Sequence, residues 1–368
     1  MPGVGFIRPA GGGSSTGGGS ISVALSDNAP SVGDTITITA TPTGYTPDSY
    51  LYFGYDGSGN IVFIAEQASN TFDWSISVSG LSVTEIYVLG VENGSPDITA
   101  FGTADITITA SFLLDTAEGA GANFAFAFFK LRAAYTGPIA LIRRSSDNAQ
   151  KEFYFDSNNV FSMSSEDGSG TSLSSWVGND AFYLVTGHSQ DVAGLTFTAS
   201  SAADQQQLGA NGVLFDLNGV VAMVGNNDRY VISTPLTVRS AFIVAQNEGL
   251  NQVNYIFGGV GQGFHWGGTV VTGIGIFGSN SIASTVEDLN PHLASLLTDT
   301  GVYVDGNLEA SGTINPLTIT GVGGRPDVVN LSMHGKTAVI VSYATDKTAD
   351  RAAIEANIND NFTTSLLP

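Results

Sequence analysis

The sequence predicts an all-β protein with two folded parts behind a low-complexity arm. Three observations carry that expectation. Short stretches of alternating apolar and polar residues recur from Ser20 towards the C-terminus, separated by Gly, Pro, Asn and Asp. Glycine makes up 46 of the 368 residues, which suits a chain that turns often. Helical periodicity is confined to two places, residues 117–131 and 348–359.

A chain of 368 residues is comfortable for two domains, each able to bury a core without covalent help. Cysteine is absent, so neither disulfides nor thiolate metal sites contribute. Twelve basic residues against 33 acidic ones give a net charge of −21, although only 12% of residues are charged. Such a surface repels phosphate backbones and argues against nucleic acid as a partner. No segment has the ~18 apolar residues needed to cross a bilayer, so membrane insertion is not expected. Residues 1–10 lack the basic region and apolar core of a secretion signal.

Residues 9–20, PAGGGSSTGGGS, hold no side chains able to build a core. Ahead of them Val4, Phe6 and Ile7 form a short apolar plug, which this linker separates from both folded parts. The expectation is a flexible anchoring arm, residues 1–19, that docks the protein on a larger assembly. Residues 20–110 then carry seven strand-like runs, at 21–25, 35–39, 50–53, 61–64, 72–76, 85–89 and 105–109. Turn signals at 30–34, 56–60 and 93–96 separate several of them. That spacing predicts an Ig-like β-sandwich with Trp74 in its core. The run Ala29-Pro30-Ser31-Val32-Gly33-Asp34-Thr35-Ile36-Thr37 is similar to the disulfide-free Ig-like or PKD-like modules of bacteria and phages, which implies a spacer or docking unit.

The most distinctive stretch is 111–160, SFLLDTAEGAGANFAFAFFKLRAAYTGPIALIRRSSDNAQKEFYFDSNNV. An apolar opening stops at Asp115, and residues 117–131 read as one amphipathic helix. Tyr135-Thr136-Gly137-Pro138 is a turn made of residues that fix backbone angles. A strand at 139–144 ends in Ser145-Ser146-Asp147-Asn148, and a second strand at 152–155 ends at Asp156. On Leu114-Asp115, Leu131-Arg132, Ala134 to Pro138 and Arg143 to Asn148, the stretch resembles the opening of the concanavalin A-like jelly-roll domains related to the catalytic domain of arabinofuranosidase B. Relatives of that group recur in virion proteins of tailed bacteriophages.

The resemblance covers about residues 111–365 and is diluted in the middle. Relatives commonly carry Trp-Tyr-Asp-Gln-Ser-Gly-Asn-Gly after a strand that falls here at 181–186. This chain reads Gly187-His188-Ser189-Gln190-Asp191 instead, with only Gln190, Asp191 and Gly194 echoing the motif. Residues 214–219 and the Asp-rich turn 225–230 are similar to later parts of the group more loosely. Further strands are expected at 241–245, 255–257, 270–271, 273–277, 301–304 and 337–342. Residues 348–359, started at Thr345-Asp346 or Thr348, form one amphipathic helix whose Asp-Arg-x-x-Ile-Glu-x-x-Ile-Asn pattern is again similar to phage members. The expected fold is therefore an N-terminal Ig-like β-sandwich followed, over 111–368, by a concanavalin A-like jelly roll with a short C-terminal helix.

A glycosidase needs two carboxylates about 5–9.5 Å apart across a cleft. Glu248, Glu287-Asp288 and Glu166-Asp167 are the candidates, all in Gly- or Ser-rich loops where an acid is ordinarily just solvated, and no catalytic residue is assigned. His188, His265, His292 and His334 are scattered without ligand spacing. Asn226-Asn227-Asp228 and residues 156–159 offer clustered oxygens for calcium, but turn chemistry accounts for them equally and no cofactor is assigned. The run 258–263, GGVGQG, superficially resembles a phosphate loop, yet Phe264-His265-Trp266-Gly267-Gly268 follows it rather than a helix. Phe264, His265 and Trp266, placed in a Gly-rich loop, are the candidates for a sugar-stacking edge, with a core or subunit-interface role as the plainer reading.

The resemblance implies a structural protein of the phage particle surface, a tail, fibre or capsid-decoration subunit. The arm would bind other virion proteins, the jelly roll would face a host-surface glycan, and a homo-oligomer, taken as a trimer, would form. The missing secretion signal agrees with a particle released by lysis and argues against a secreted lectin. The alternative is an arabinofuranosidase-type glycoside hydrolase, against which the altered 187–190 motif counts.

Overall fold

The computed structural model describes residues 20–30, 35–56, 61–75, 83–91, 100–106, 112–191, 194–248, 254–266, 273–277, 281–286, 289–324 and 333–367. These residues are built mainly of strands, and the chain divides into two compact units, Met1–Ser111 and Phe112–Pro368. The anchoring plug Val4, Phe6 and Ile7 lies outside the described residues.

In the first unit β1 (Ser20–Leu25), β2 (Thr35–Thr43) and β5 (Thr71–Ser75) form a three-stranded antiparallel sheet. A second sheet has β3 (Ser49–Asp56), β4 (Ile61–Gln67), β6 (Val83–Val91) and β7 (Ala100–Asp105) in the order β4-β3-β6-β7. Alternation sends Ile36, Ile38 and Ala40 of β2 inward to meet Tyr52, Trp74, Ile86 and Val88. Trp74 is thus a core residue. The last described strand lies at Ala100–Asp105, ahead of the expected 105–109, whose residues 107–109 lie outside the described residues. Gly102 hid it, since glycine argues against a strand. It is needed there because a Cβ would stand 2.4 Å from the Ile21 carbonyl oxygen of β1.

The second unit begins with a 3₁₀ turn at Leu113–Asp115, then β8 (Ala122–Ala127), β9 (Ala140–Arg144), β10 (Gln150–Phe153) and helix α1 (Leu173–Val177). Next come β11 (Phe182–His188), β12 (Thr196–Ala199), β13 (Gln207–Ala210), β14 (Val213–Leu214), β15 (Asp216–Leu217), β16 (Val220–Val221), β17 (Met223–Asp228) and β18 (Tyr230–Val238). They are followed by β19 (Ser240–Asn247), β20 (Asn254–Gly259), β21 (Gln262–Trp266), β22 (Ile274–Phe277), β23 (Ile282–Ala283) and β24 (Pro291–Leu297). The chain closes with β25 (Gly301–Val304), β26 (Asn307–Ser311), β27 (Leu317–Val322), β28 (Met333–Tyr343) and helix α2 (Arg351–Asn359).

Pairing arranges these strands as two layers of a jelly roll. One layer runs β10-β9-β11-β12-β18-β27-β20-β21-β22-β23. In the other, β28 is flanked by β19 on one side and by β8 and β17 on the other, and β19 continues to β24, β25 and β26. Strand β13 pairs with both β11 and β17 and so joins the layers. Phe124, Phe126, Phe182, Phe197, Phe257 and Trp266 fill the interior. A second apolar layer on the outer side of β8, β19, β24 and β28 is covered by α2, through Ile354 and Ile358, and by Leu113 and Leu114. Glu355 of α2 is buried there, accepting from Ser295 Oγ at 2.6 Å and from Arg351, whose guanidinium lies over the Tyr303 ring.

Three expectations need correction. The segment 117–131 is not a helix: Ala122–Ala127 is a strand, and Phe129 bridges to Val160. Both faces of β8 are buried, Phe124 and Phe126 in the interior and Ala125 and Ala127 beneath the outer layer, so no polar alternation marked it. Residues 226–228 belong to β17 rather than to a turn. Helix α2 starts at Arg351, three residues after Thr348, whose N–H is turned onto Asp346 Oδ1 at 3.1 Å.

Candidate functional site

Tyr135, Arg144 and Gln190, on which the sequence resemblance rests, are structural parts in this chain. Tyr135 Oη donates to the Pro138 carbonyl at 2.5 Å, closing its own turn, and burial pushes the phenol up to about 12. Gln190 is fully buried between strands: its Oε1 accepts from Leu131 N at 2.7 Å, and its Nε2 donates to the carbonyls of Phe129 at 2.9 Å and Ala127 at 3.2 Å. Ser189 Oγ accepts from Ala125 N at 2.8 Å. The pair therefore satisfies the edge of β8 where no neighbouring strand does. Counting back from Gln190, the Trp of the relatives' motif falls on Gly187, where a Cβ would stand 2.0 Å from the Phe197 ring. The Phe197 ring thus leaves no room for a side chain at position 187.

The two arginines of the motif point opposite ways, as neighbours on a strand do. Arg144 Nη2 meets Asp147 Oδ2 at 2.6 Å, Nη1 donates to the Trp176 carbonyl, and the guanidinium lies 5.0 Å from the Trp176 ring centroid. Its hydrogen bonds, with that of Ala149 N, hold the Asp147 carboxyl at about 2. Arg143 faces outward over Tyr183, 4.7 Å from the ring centroid, with Nε on Gln205 Oε1 and Nη1 on Asn148 Oδ1. On the same outer face, Glu152 and His188 approach to 3.7 Å, and burial lowers the His188 pKa.

The expected sugar-stacking residues sit elsewhere than foreseen. Phe264, His265 and Trp266 lie on β21, and Trp266 is 0% exposed. The Gly-rich run before them is a tight hairpin in which Gly259 pairs with Gln262 across Val260 and Gly261, not an open loop. A ring with no exposed face cannot stack on a sugar, so these three are packing residues; Gly267 and Gly268 lie outside the described residues. His265 has neither ring nitrogen hydrogen-bonded among the described residues, and burial drops its pKa to about 4. Trp266 instead contacts His292 of the other layer, ring centroids 5.4 Å apart, and His292 Nδ1 meets Asp305 Oδ2 at 2.5 Å.

Among the described residues, the candidate carboxylates are each placed separately. Glu248 is exposed at the end of β19, its N–H bonded to the His334 carbonyl. Glu166 is exposed, whereas Asp167 is held far below the usual carboxylate range by Lys151 and by Ser169. Glu287 and Asp288 lie outside the described residues. Asp156 is taken up by its own turn, accepting from Asn158 N, Val160 N, Ser162 Oγ and Ser164 Oγ. No cluster of three or more His, Asp or Glu side chains is placed to hold a metal among the described residues. Sequence reasoning read Arg143 only as part of the resemblance and did not foresee its outward place against Tyr183 and two amides.

No family model matches the chain, and no curated protein matches it. Among solved structures it is similar to a point mutant of a GH54 α-L-arabinofuranosidase soaked with 4-nitrophenyl α-L-arabinofuranoside, with 11% identity and a TM-score of 0.46, over 66% of this chain and 63% of that one. A host-cell-retention structure of a bacterial ice-binding adhesin gives 10% identity and a TM-score of 0.19, over 78% and 94%. A Trypanosoma rangeli sialidase gives 10% identity and a TM-score of 0.30, over 94% and 54%. The chain thus spans less than two thirds of the arabinofuranosidase, and these similarities transfer no activity to it.

Proposed function

We propose that the protein is a structural component of a virion surface, a phage tail, fibre or capsid-decoration subunit whose jelly roll adheres to a host glycan. One observation carries this reading. Tyr135, Arg144 and Gln190, which carry the resemblance, turn their polar atoms onto their own fold, which makes them scaffold. A scaffold with a polar, aromatic outer face suits adhesion. The arm, residues 1–19, is the anchor, and a homo-oligomer multiplies weak single contacts. Electron micrographs of particles labelled with an antibody to residues 112–368 are the test; unlabelled particles overturn the assignment. Deleting residues 1–19 should leave a folded protein that is missing from purified particles.

The second reading is an arabinofuranosidase-type hydrolase that uses the exposed Glu248, which follows β19, with the His292–Asp305 pair on the adjoining β24. Turnover of aryl arabinofuranosides by the purified protein, abolished in Glu248→Gln or Asp305→Asn, would establish it.

A further inference from the structure

Two consecutive arginines on β9 meet different fates, and the contrast specifies a ligand for the adhesive reading, on which this inference rests. Arg144 is neutralised by Asp147, with Asp180 behind it at 3.9 Å. Arg143 is not. Its Nε donates to Gln205 Oε1 at 2.6 Å and its Nη1 to Asn148 Oδ1 at 2.9 Å, and its face rests on Tyr183. All three partners are neutral, and no described carboxylate lies within ion-pairing distance of it. The two amides and the ring fix the guanidinium plane, leaving Nη2 and the second hydrogen of Nη1. That is the end-on fork that grips a carboxylate with two parallel hydrogen bonds.

We propose that the outer face of β9 and β11 is a glycan subsite that seats a sugar carboxylate on Arg143. The amide groups of Asn148, Gln205 and Gln150 surround it, Gln150 lying directly opposite Arg143 in the β9–β10 register, and they suit sugar hydroxyls. The chain's net charge of −21 disfavours densely anionic polymers. The ligand class is therefore an otherwise neutral glycan bearing isolated uronic-acid units.

The test is calorimetric titration of the full chain with a glucuronic acid–glucose disaccharide and with its neutral glucose counterpart. The acid should bind at least ~10-fold more tightly than the neutral sugar, a margin of about 1.4 kcal/mol. Arg143→Gln should erase that margin while the thermal melt stays in place. Arg143→Lys, which keeps the charge but not the fork, should lose most of it, and it carries the test if the Gln variant fails to fold. Equal affinity for both sugars, binding of neither, or full affinity in both variants overturns the subsite. Because purified protein is used, such a failure leaves the virion assignment to the particle labelling; unlabelled particles with the sugar preference intact would sink that assignment alone.

Discussion

At the scale of single residues, Gln190 shows a polar side chain used as scaffold. Gln190 is fully buried and bonds three backbone groups, and truncation leaves all three without that partner. Gln190→Ala should cost about 2–5 kcal/mol, read as a lower denaturant midpoint with an unchanged slope. His265 sets a pH dependence. Its pKa is 6.5 in the unfolded chain and about 4 in the fold, so between those values only the unfolded chain takes up the proton. Stability should fall as pH drops from 6.5 towards 4 and be indifferent to this residue above 6.5, at about 1.4 kcal/mol per unit of pH in between. His265→Phe should flatten that part of the curve; an unaltered slope would assign it to other groups. Trp266 shows what composition hides, because glycines that look like a mobile loop are here a two-residue hairpin feeding a buried strand.

At the scale of elements, strands such as β2 and β9 lie close to where the sequence put them, whereas β18 and β27 were not foreseen although one face of each is partly exposed. Alternation failed at β8. There the sequence Ala122-Asn123-Phe124-Ala125-Phe126-Ala127 has period two, but the difference between faces is size, not polarity. Large rings fill the space between layers, and alanines let the outer layer approach. Swapping sizes should hurt on both faces. Phe126→Ala leaves a cavity and should cost about 3–5 kcal/mol, whereas Ala127→Leu overpacks the layer beneath α2 and should cost about 1–3 kcal/mol. Thermal melts of the two variants decide this; a neutral Ala127→Leu would mean that the outer layer is loosely packed. The outward Arg143 was unreadable for a related reason, since sequence does not tell which of two adjacent arginines finds a carboxylate.

At the scale of the whole molecule, the division into two β-rich units was legible in the turn spacing and in the change of motif near residue 111, whereas the closure of the second unit was not. Tyr343 Oη donates to the Gly119 carbonyl at 3.0 Å and Lys347 Nζ to that of Glu118 at 2.6 Å, tying its last strand to its first segment. Nothing local in either stretch announces the other. Removing the tie should loosen both ends together: Lys347→Met should raise amide exchange in β8 as well as near α2. Exchange confined to α2 would show that the closure rests on β8–β28 pairing alone.

That pairing also sets a timetable for synthesis. Strand β28 is an inner strand, yet it follows β8 by more than two hundred residues, Ser342 Oγ donating to Asn123 across a separation of 219. At about 5–20 residues per second, the aromatic face of β8 waits roughly 10–45 s on the ribosome for its partner. Neighbouring strands such as β9 and β10 or β24 and β25 can pair early, but the layer around β28 cannot close until then, and folding dominated by such distant pairing is slow once it starts. Nascent chains arrested before Met333 should be cut readily by protease, and those arrested after Tyr343 has cleared the exit tunnel should resist it. Resistance in the shorter chains would mean that β19, β24 and β25 form a stable half on their own.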